Sequence, residues 1–452
     1  MSNQLLNAYV NESHSHLNKI EISLEKRLEQ LHPKKIDLSL NRISNLLSKL
    51  NNPQKKIKNI IHIAGTNGKG SVLAFLKAFL KSGNYSVNTY SSPHLISFNE
   101  RINLNGKNIS NKYLEKILKL CDKKNCNLPI TFFEMTTVAA FIAFKENPAD
   151  FTILETGLGG RLDATNVIKK PIISIINEIS IDHTNFLGNS LKQIAKEKCG
   201  IIKKNSNVVV GSQSSEAKKV IKKIAKKLRS KTFFYNEDWS VKKDDSFQKL
   251  VFFNNCNNDD KEIFPLPNLK GNHQIINAGI AIKAIKLIKE LNLKNNLITN
   301  GIKKVKWQGR LQKIQIKNLN LPLNQIDKKW ELWFDGGHNK SASYALSKSL
   351  KNWNYKDLYL IFGMLNSKDP KEFLNNFRNM TKKLITVPVQ SGSPYYSNKK
   401  LYEIAHLNEF NVEPSSSIKK ALNKILMKES PGRILICGSL YMYKELNSIL
   451  KK

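Results

Sequence analysis

Apolar and polar positions along this chain fall into blocks that switch between two repeats. Ile60-Ile61-His62-Ile63-Ala64 is a short apolar run that stops at Gly65-Thr66-Asn67-Gly68-Lys69-Gly70-Ser71, and Val72-Leu73-Ala74-Phe75-Leu76 follows. This order predicts a buried strand, a glycine loop and a helix over Ser71–Lys81. The alternation then repeats. Strand Ser86–Tyr90 leads into Ser91-Ser92-Pro93-His94, and a helix is expected around Glu134–Lys145. Strand Phe151–Leu154 runs into Glu155-Thr156-Gly157-Leu158-Gly159-Gly160-Arg161, and strand Pro171–Ile176 points towards Asp182-His183. Strands separated by helices predict a mostly parallel sheet, whose ligands bind beyond the carboxyl ends of its strands. Lys69, Ser92, Glu155 and His183 all fall just past predicted strand ends, which points to one shared site.

At 452 residues the chain is long enough for two or more domains. Asn236–Phe264 is polar and weakly periodic until Leu250-Val251-Phe252-Phe253, and reads as strands and loops at the edge of a first domain. Helix Ile275–Leu291 follows. Asn292–Lys306 is polar and basic and reads as the approach to a linker. A second α/β pattern starts near Gly309, with strands Leu332–Phe334, Asp357–Phe362, Leu384–Val389 and Arg433–Cys437. The expected fold is α/β. A P-loop-containing, mostly parallel sheet domain with an N-terminal helical segment occupies 1–308. A smaller doubly wound domain without a P-loop occupies 309–452.

The formal net charge is +37, from 73 Lys and Arg against 36 Asp and Glu. Such charge raises nucleic-acid binding as a reading. The lysines recur in pairs over the whole chain (Lys55-Lys56, Lys123-Lys124, Lys203-Lys204, Lys303-Lys304), without a dense arm or an aromatic RNA-binding motif. A dispersed basic surface is therefore the expectation, with a field that attracts anionic substrates. Met1-Ser2-Asn3-Gln4 opens a polar stretch with no secretory apolar core, and no apolar run has membrane-spanning length. Five scattered cysteines, an odd number, suit the reducing cytosol.

The glycine loop carries the sharpest chemistry. Its backbone N–H groups and the helix start suit phosphate oxygens, Lys69 suits the β/γ-phosphates, and a nearby hydroxyl suits Mg²⁺. The spacing departs from the standard P-loop, because Gly70 separates Lys69 from Ser71 and Ile63 stands at the usual first glycine. Glu155, at a strand end beside this loop, is placed to hold Mg²⁺, which prefers oxygen ligands. Asp163 has three readings: substrate binding, ion pairing with Arg161, or a helix N-cap. Ser190-Leu191-Lys192-Gln193 predicts a capping box, after which Leu191, Ile194, Ala195 and Lys198 share one helical face. That turns Lys198 inward, where a bare ammonium is costly and must pair, meet phosphate or be modified. In the second domain Asp335 and His338 stand at a strand end, and Arg310 at the domain junction.

Together these residues resemble the folylpolyglutamate synthase/dihydrofolate synthase family, within the Mur-ligase-like amide ligases. The resemblance runs from about Lys34 to Tyr443. It rests on Gly65–Ser71, Ser91-Ser92-Pro93-His94-Leu95, Phe133-Glu134, Leu154–Asn166, Asp182-His183-Thr184, Glu197–Lys203, His273-Gln274 with Asn277-Ala278, Gly309–Gln312 and Asp335–Asn339. Cys199 stands where alanine is usual. The resemblance implies a Rossmann-like second domain and an active site between the two domains. It implies ATP as co-substrate, contacted by Thr66, Asn67, Gly68, Lys69, Gly70, Ser71, Asn277, Arg310 and Asp335. It implies Mg²⁺ at two sites, with Ser92, Glu155 and His183 as ligands. Thr131, Phe132, Phe133, Glu134, Leu162, Asp163 and Ala164 would line the pterin site. Lys198 would be carbamylated, and Lys69, Lys198, His183 and His338 would serve catalysis. The implied reaction adds L-glutamate to dihydropteroate and to reduced folates through an acyl phosphate, releasing ADP. The expected enzyme is a cytoplasmic monomer with no nucleic-acid or membrane partner. A ligase acting on a UDP-sugar, a nucleic-acid-binding ATPase and a catalytically dead folate-binding regulator are the competing readings.

Overall fold

The computed structural model describes residues 37–255, 260–289, 291, 293–321, 327–351, 357–391 and 393–451. The N-terminal stretch from Met1 to Gln4 and Cys256 lie outside the described residues. The remaining cysteines, Cys121, Cys126, Cys199 and Cys437, are free thiols. Among the described residues no helix is long and apolar enough to cross a membrane. Two compact units emerge. One takes in the chain up to Lys242 with Val251–Pro265 and Asn277–Lys304, the other Lys243–Leu250, Leu266–Ile276 and Val305 onwards.

The first unit is built on eight strands: β1 (Ile60–Ala64), β2 (Val87–Tyr90), β3 (Ile102–Leu104), β4 (Lys107–Asn108), β5 (Phe151–Glu155), β6 (Ile173–Ile176), β7 (Asn207–Val210) and β8 (Lys231–Phe234). Their spatial order is β4-β3-β2-β5-β1-β6-β7-β8. From β2 to β8 every neighbouring pair is parallel, whereas β3 and β4 extend the edge antiparallel. β1, β2, β5 and β6 are buried along their whole length, as parallel strands covered on both faces are. Because β2, β5, β1 and β6 are parallel neighbours, the loops that follow them emerge side by side at one edge. Glu155 ends β5, Lys69 starts the helix after the β1 loop, and Ser92 and His183 follow β2 and β6, so all four lie towards the carboxyl edge of the sheet.

One core joins helices Asn41–Lys49, Asn111–Asn125 and Phe132–Glu146. A second core collects Ile194, Ala195, Ala217 and Ile221 from helices Leu191–Lys198 and Ser215–Lys227. β9 (Ser240–Asp244), β10 (Lys249–Phe253) and β11 (Lys261–Pro265) form a separate three-stranded sheet. The stretch 292–306, read as a polar approach to a linker, instead contains helix Asn295–Lys304. Its narrow apolar face, Ile298, Gly301 and Ile302, is buried. A Cβ at Gly301 would meet the Ala78 backbone at 3.0 Å, so glycine lets this helix lie against helix Lys69–Ser82.

The second unit has a six-stranded sheet ordered β12-β13-β17-β14-β15-β16, made of β12 (Gln312–Ile314), β13 (Glu331–Asp335), β14 (Leu358–Phe362), β15 (Thr381–Thr386), β16 (Val412–Pro414) and β17 (Arg433–Cys437). β12 is antiparallel and the rest are parallel. β15 starts and stops three residues before the predicted strand Leu384–Val389. Its pairing with β14 ends at Thr386, and the apolar run continues as buried coil through Val387 and Val389.

Candidate functional site

The loop after β1 is shaped by one glycine. Gly68 caps helix Lys69–Ser82 at φ +78°, a left-handed conformation that L side chains rarely adopt. A Cβ there would also lie 2.6 Å from Asn277 Oδ1. Asn277 in turn accepts a 2.9 Å hydrogen bond from Asn177 Nδ2, so a buried asparagine pair backs the turn. Thr66 N donates to Glu178 O at 2.7 Å, Thr66 Oγ1 donates to Ser180 O at 3.1 Å, and Asn67 Nδ2 donates to Glu178 Oε2 at 2.9 Å. The segment after β6 thus braces the loop. Lys69 Nζ donates to Gly65 O at 3.0 Å and Thr66 O at 3.2 Å, and Gly70 and Ser71 are buried in the first helical turn.

Lys198 lies where the capping box and helical face predicted. Ser190 Oγ accepts from Gln193 N, the Gln193 side chain accepts from Ser190 N, and Lys198 is 4 % exposed. Its Nζ donates to Gly65 O at 2.9 Å, the same carbonyl that Lys69 uses. Burial, then the neighbouring Lys69 charge, lower the Lys198 amine to about 7, against the pull of Asp182, Glu178 and Asp163. Ser190→Ala is expected to destabilise the protein by about 1 kcal/mol, read as a lower urea midpoint with an unchanged slope.

Glu155, 4 % exposed at the end of β5, accepts from Ser92 N at 3.3 Å. Ser92 and Glu155 are therefore in contact. His183 caps the short helix Thr184–Leu187 at φ +51°, its N–H donating to Asp182 Oδ1 at 2.8 Å. A hydroxyl, a carboxylate and an imidazole are donor types that suit a hard-to-borderline divalent cation.

Asp163 is 2 % exposed and caps the 3₁₀ turn Ala164–Val167. Its carboxylate accepts from Thr165 Oγ1 at 2.5 Å, Thr165 N at 3.0 Å and Leu158 N at 2.9 Å, with Gly157 N a further donor. Burial raises its pKa and these donors oppose the rise. Of the three readings of Asp163, the cap is formed and the ion pair with Arg161 is not. Arg161 pairs instead with Glu197 at 2.9 Å, because helix Leu191–Lys198 brings that carboxylate to the loop surface. Asp163→Ala leaves buried donors unpaired and is expected to cost about 3 kcal/mol or more. Leu162 and Ala164 flank the same turn, and calorimetry checks the expected loss.

Thr131 and Glu134 open helix Phe132–Glu146 as a capping box. Glu134 Oε2 accepts from Thr131 N at 2.8 Å, Thr131 Oγ1 at 2.9 Å and Arg42 Nε at 3.0 Å. Glu134 Oε1 is buried without a hydrogen-bond partner among the described residues. Phe132 and Phe133 join an aromatic cluster. Phe133 lies 6.0 Å from Tyr90, Phe132 lies 5.6 Å from Phe98, and His94 lies 6.0 Å from Phe98 (centroid to centroid).

In the second unit, Asp335 ends β13. Its Oδ1 accepts from Gly337 N at 2.7 Å and its Oδ2 from Leu311 N at 2.8 Å. Gly336 N donates to Gly309 O at 2.9 Å, so the Gly309–Leu311 turn and the β13 loop are cross-braced and Arg310 stands beside them. A Cβ at Gly336 would lie 3.1 Å from Arg310 Nη1. His338 Nδ1 donates to Gly336 O at 3.2 Å. His273, not singled out for a role from the sequence, belongs to this group. Burial lowers its pKa, with Asp335 opposing and Arg310 reinforcing. Its Nε2 accepts from Gln274 at 3.1 Å. The signal for it was a histidine directly after Gly271-Asn272 at a helix start.

Two joined α/β units, the first with a phosphate-type glycine loop and an acidic strand end beside it, define the class of Mur-type ATP-dependent ligases. Residues 63–285 match the Mur ligase middle domain, and residues 315–450 match the dihydrofolate synthetase C-terminal domain. The chain is 31% identical over 439 residues to the dihydrofolate synthase/folylpolyglutamate synthase of Bacillus subtilis, covering 91% of this chain and 95% of the relative. It is also 31% identical to a probable dihydrofolate synthetase of Schizosaccharomyces pombe, over 92% of this chain and 99% of that protein. Among solved structures, Escherichia coli FolC in complex with DHPP and ADP is similar, with TM-score 0.84, 26% identity and 95% and 97% coverage of the two chains. The chain belongs to the dihydrofolate synthase/folylpolyglutamate synthase family.

Proposed function

We propose that this chain joins L-glutamate to dihydropteroate, and to reduced folates, with ATP converted to ADP and phosphate. The observation that carries the reading is the side-by-side placement of the Gly65–Ser71 loop and buried Glu155 at the ends of paired strands β1 and β5. The ligands bound by similar proteins support it: DHPP and ADP in the Escherichia coli structure, and Mn, AMPPNP and L-glutamate in a bifunctional synthase structure 25% identical to this chain.

In the reaction, an oxygen of the substrate carboxylate attacks the γ-phosphorus and ADP leaves. The α-amine of glutamate then attacks the acyl phosphate carbonyl, phosphate leaves with the bonding pair, and the nitrogen gives up a proton. The protein's part is positioning and charge neutralisation. Backbone N–H groups of Asn67–Gly70 and the helix start hold the phosphates, beside Thr66, whose own N–H is taken by Glu178 O, and Lys69 supplies the positive charge at the transferring group. Asn277, Arg310 and Asp335 are assigned to the nucleotide, and His338 to the reaction centre. Ser92, Glu155 and His183 would hold a divalent cation, assigned as Mg²⁺ with a second ion nearby, which supplies charge neutralisation at the phosphates. Thr131–Glu134 and Leu162–Ala164 are assigned to the pteridine acid. The aromatic rings suit a flat heterocycle, and Glu134 Oε1 is an acceptor suited to its N–H groups. Lys198 is assigned as a carbamate. Limits of 1–308 and 309–452 remain the proposed division along the chain, although the second compact unit takes over from Val305 and also draws in Lys243–Leu250 and Leu266–Ile276. We infer a cytosolic location from the odd number of scattered cysteines and the lack of a nucleic-acid partner from the dispersed lysines, and take the enzyme as a monomer without a membrane partner.

The test is ADP release by purified protein with ATP, Mg²⁺ and glutamate, comparing dihydropteroate with tetrahydrofolate. Release that requires both glutamate and a pteridine acid is expected. Formation of AMP and pyrophosphate would overturn the acyl-phosphate route.

A further inference from the structure

His62 is the one polar residue in the apolar run of β1, and it is fully buried. Its Nε2 lies 2.8 Å from Thr165 Oγ1, across 103 residues of sequence. Thr165 Oγ1 has a single proton, and that proton goes to Asp163 Oδ1 at 2.5 Å, because a carboxylate only accepts. His62 Nε2 must therefore carry the hydrogen that it gives to Thr165. Its Nδ1 is then a bare acceptor, buried and without a partner among the described residues. Burial, reinforced by Lys203, holds the ring down at about 3, so it remains neutral. Two donors thus align towards one carboxylate, and each polarises the next in a dry setting.

The far end of this chain fixes a loop. Asp163 Oδ2 accepts from Leu158 N at 2.9 Å, three residues after Glu155, and Oδ1 from Thr165 N at 3.0 Å. Both ends of the Leu158–Thr165 turn hang on one carboxylate. The near end is β1, which enters the phosphate loop three residues after His62. With the carboxylate buried and its oxygens engaged, Asp163 shapes the turn more than it offers a surface. We propose that His62 and Thr165 are positioning residues for the pteridine acid. Acting through Asp163, they hold the Leu162–Ala164 turn in fixed register with the phosphate-loop strand. This rests on the ligase reading above for its substrate, but the relay itself does not.

The test compares Thr165→Val, which keeps shape and removes the hydroxyl, with Thr165→Ser, which keeps the hydroxyl. Amide hydrogen exchange without substrates reads the relay. Thr165→Val should speed exchange at Leu158 and Thr165 at least tenfold, and Thr165→Ser should stay within threefold of wild type. In kinetics, Thr165→Val should raise the KM for dihydropteroate at least tenfold, leave the KM for ATP within twofold, and be matched to wild type by Thr165→Ser. Should Thr165→Val fold poorly, His62→Met breaks the chain one link further away, and the same split is expected at smaller size. The proposal is overturned if exchange is unchanged, if both KM values rise together, or if Thr165→Ser behaves like Thr165→Val. A wild-type protein without dihydropteroate-dependent ADP release overturns the ligase reading, and the exchange rates still decide the relay.

Discussion

Lys69→Met should lower glutamate-dependent ADP release by about 10²- to 10³-fold, the scale on which one electrostatic stabiliser at a reacting centre acts. Methionine nearly preserves the length of the side chain and removes only its charge and donors. The fold should survive, because the loop's shape comes from Gly68, the Asn177–Asn277 pair and the braces from Glu178 and Ser180. The loss should sit mainly in kcat, since the charge is worth most when phosphoryl transfer is under way. A second consequence follows from Lys198. Lys69 is the leading charge that lowers the Lys198 amine, so removing it should move that pKa upward. A variant with more than half of wild-type activity would remove Lys69 from the reaction.

The parts of this protein that follow local rules could be read from the chain. β1, β5 and β17 appear as apolar runs bounded by glycine or acidic turns, and the capping box at Ser190 sets the helical phase that buries Lys198. Once the strands are known to be parallel, Lys69, Ser92, Glu155 and His183 must cluster at one sheet edge. Contacts between distant segments left no local periodicity. The antiparallel strands β3 and β4 are only three and two residues long, too short to show alternation. Helix Asn295–Lys304 was masked by its polar residues, because a three-residue apolar face is enough for it to pack. Arg161 was adjacent in sequence to one acid and adjacent in space to another, Glu197. His62 is a polar residue in an apolar run that was given no reading of its own, and its partner Thr165 is visible only in the fold.

Lys198→Ala should lower turnover by about 10²-fold or more while leaving the folded state intact. The reason begins with two amines on one carbonyl: Lys198 Nζ and Lys69 Nζ both donate to Gly65 O, at 2.9 and 3.0 Å. Two ammonium groups cannot share that place cheaply, and burial penalises the enclosed one more. Lys198 therefore titrates at about 7 in the folded protein against 10.5 when exposed. The sign of the linkage is set by this order. Between about pH 7 and 10.5 the unfolded chain binds the extra proton, so the buried lysine destabilises fully below about 7 and is relieved as pH rises through that window. The same shift leaves a large share of neutral amine near neutral pH. Its lone pair can form an N–C bond with CO₂, giving a carbamate and releasing one proton. The product carries a negative charge and oxygen donors, which suits the divalent cation proposed for Ser92, Glu155 and His183. Protein stripped of CO₂ should be weakly active, bicarbonate should restore it, and the bicarbonate needed should fall as pH rises through about 7. A ¹³C signal from labelled CO₂ should appear in wild type and be missing in Lys198→Ala, a readout that does not depend on turnover. Acetate should return part of the variant's activity by supplying the lost carboxylate. Full activity in Lys198→Ala, or indifference of the wild type to bicarbonate, would overturn the assignment.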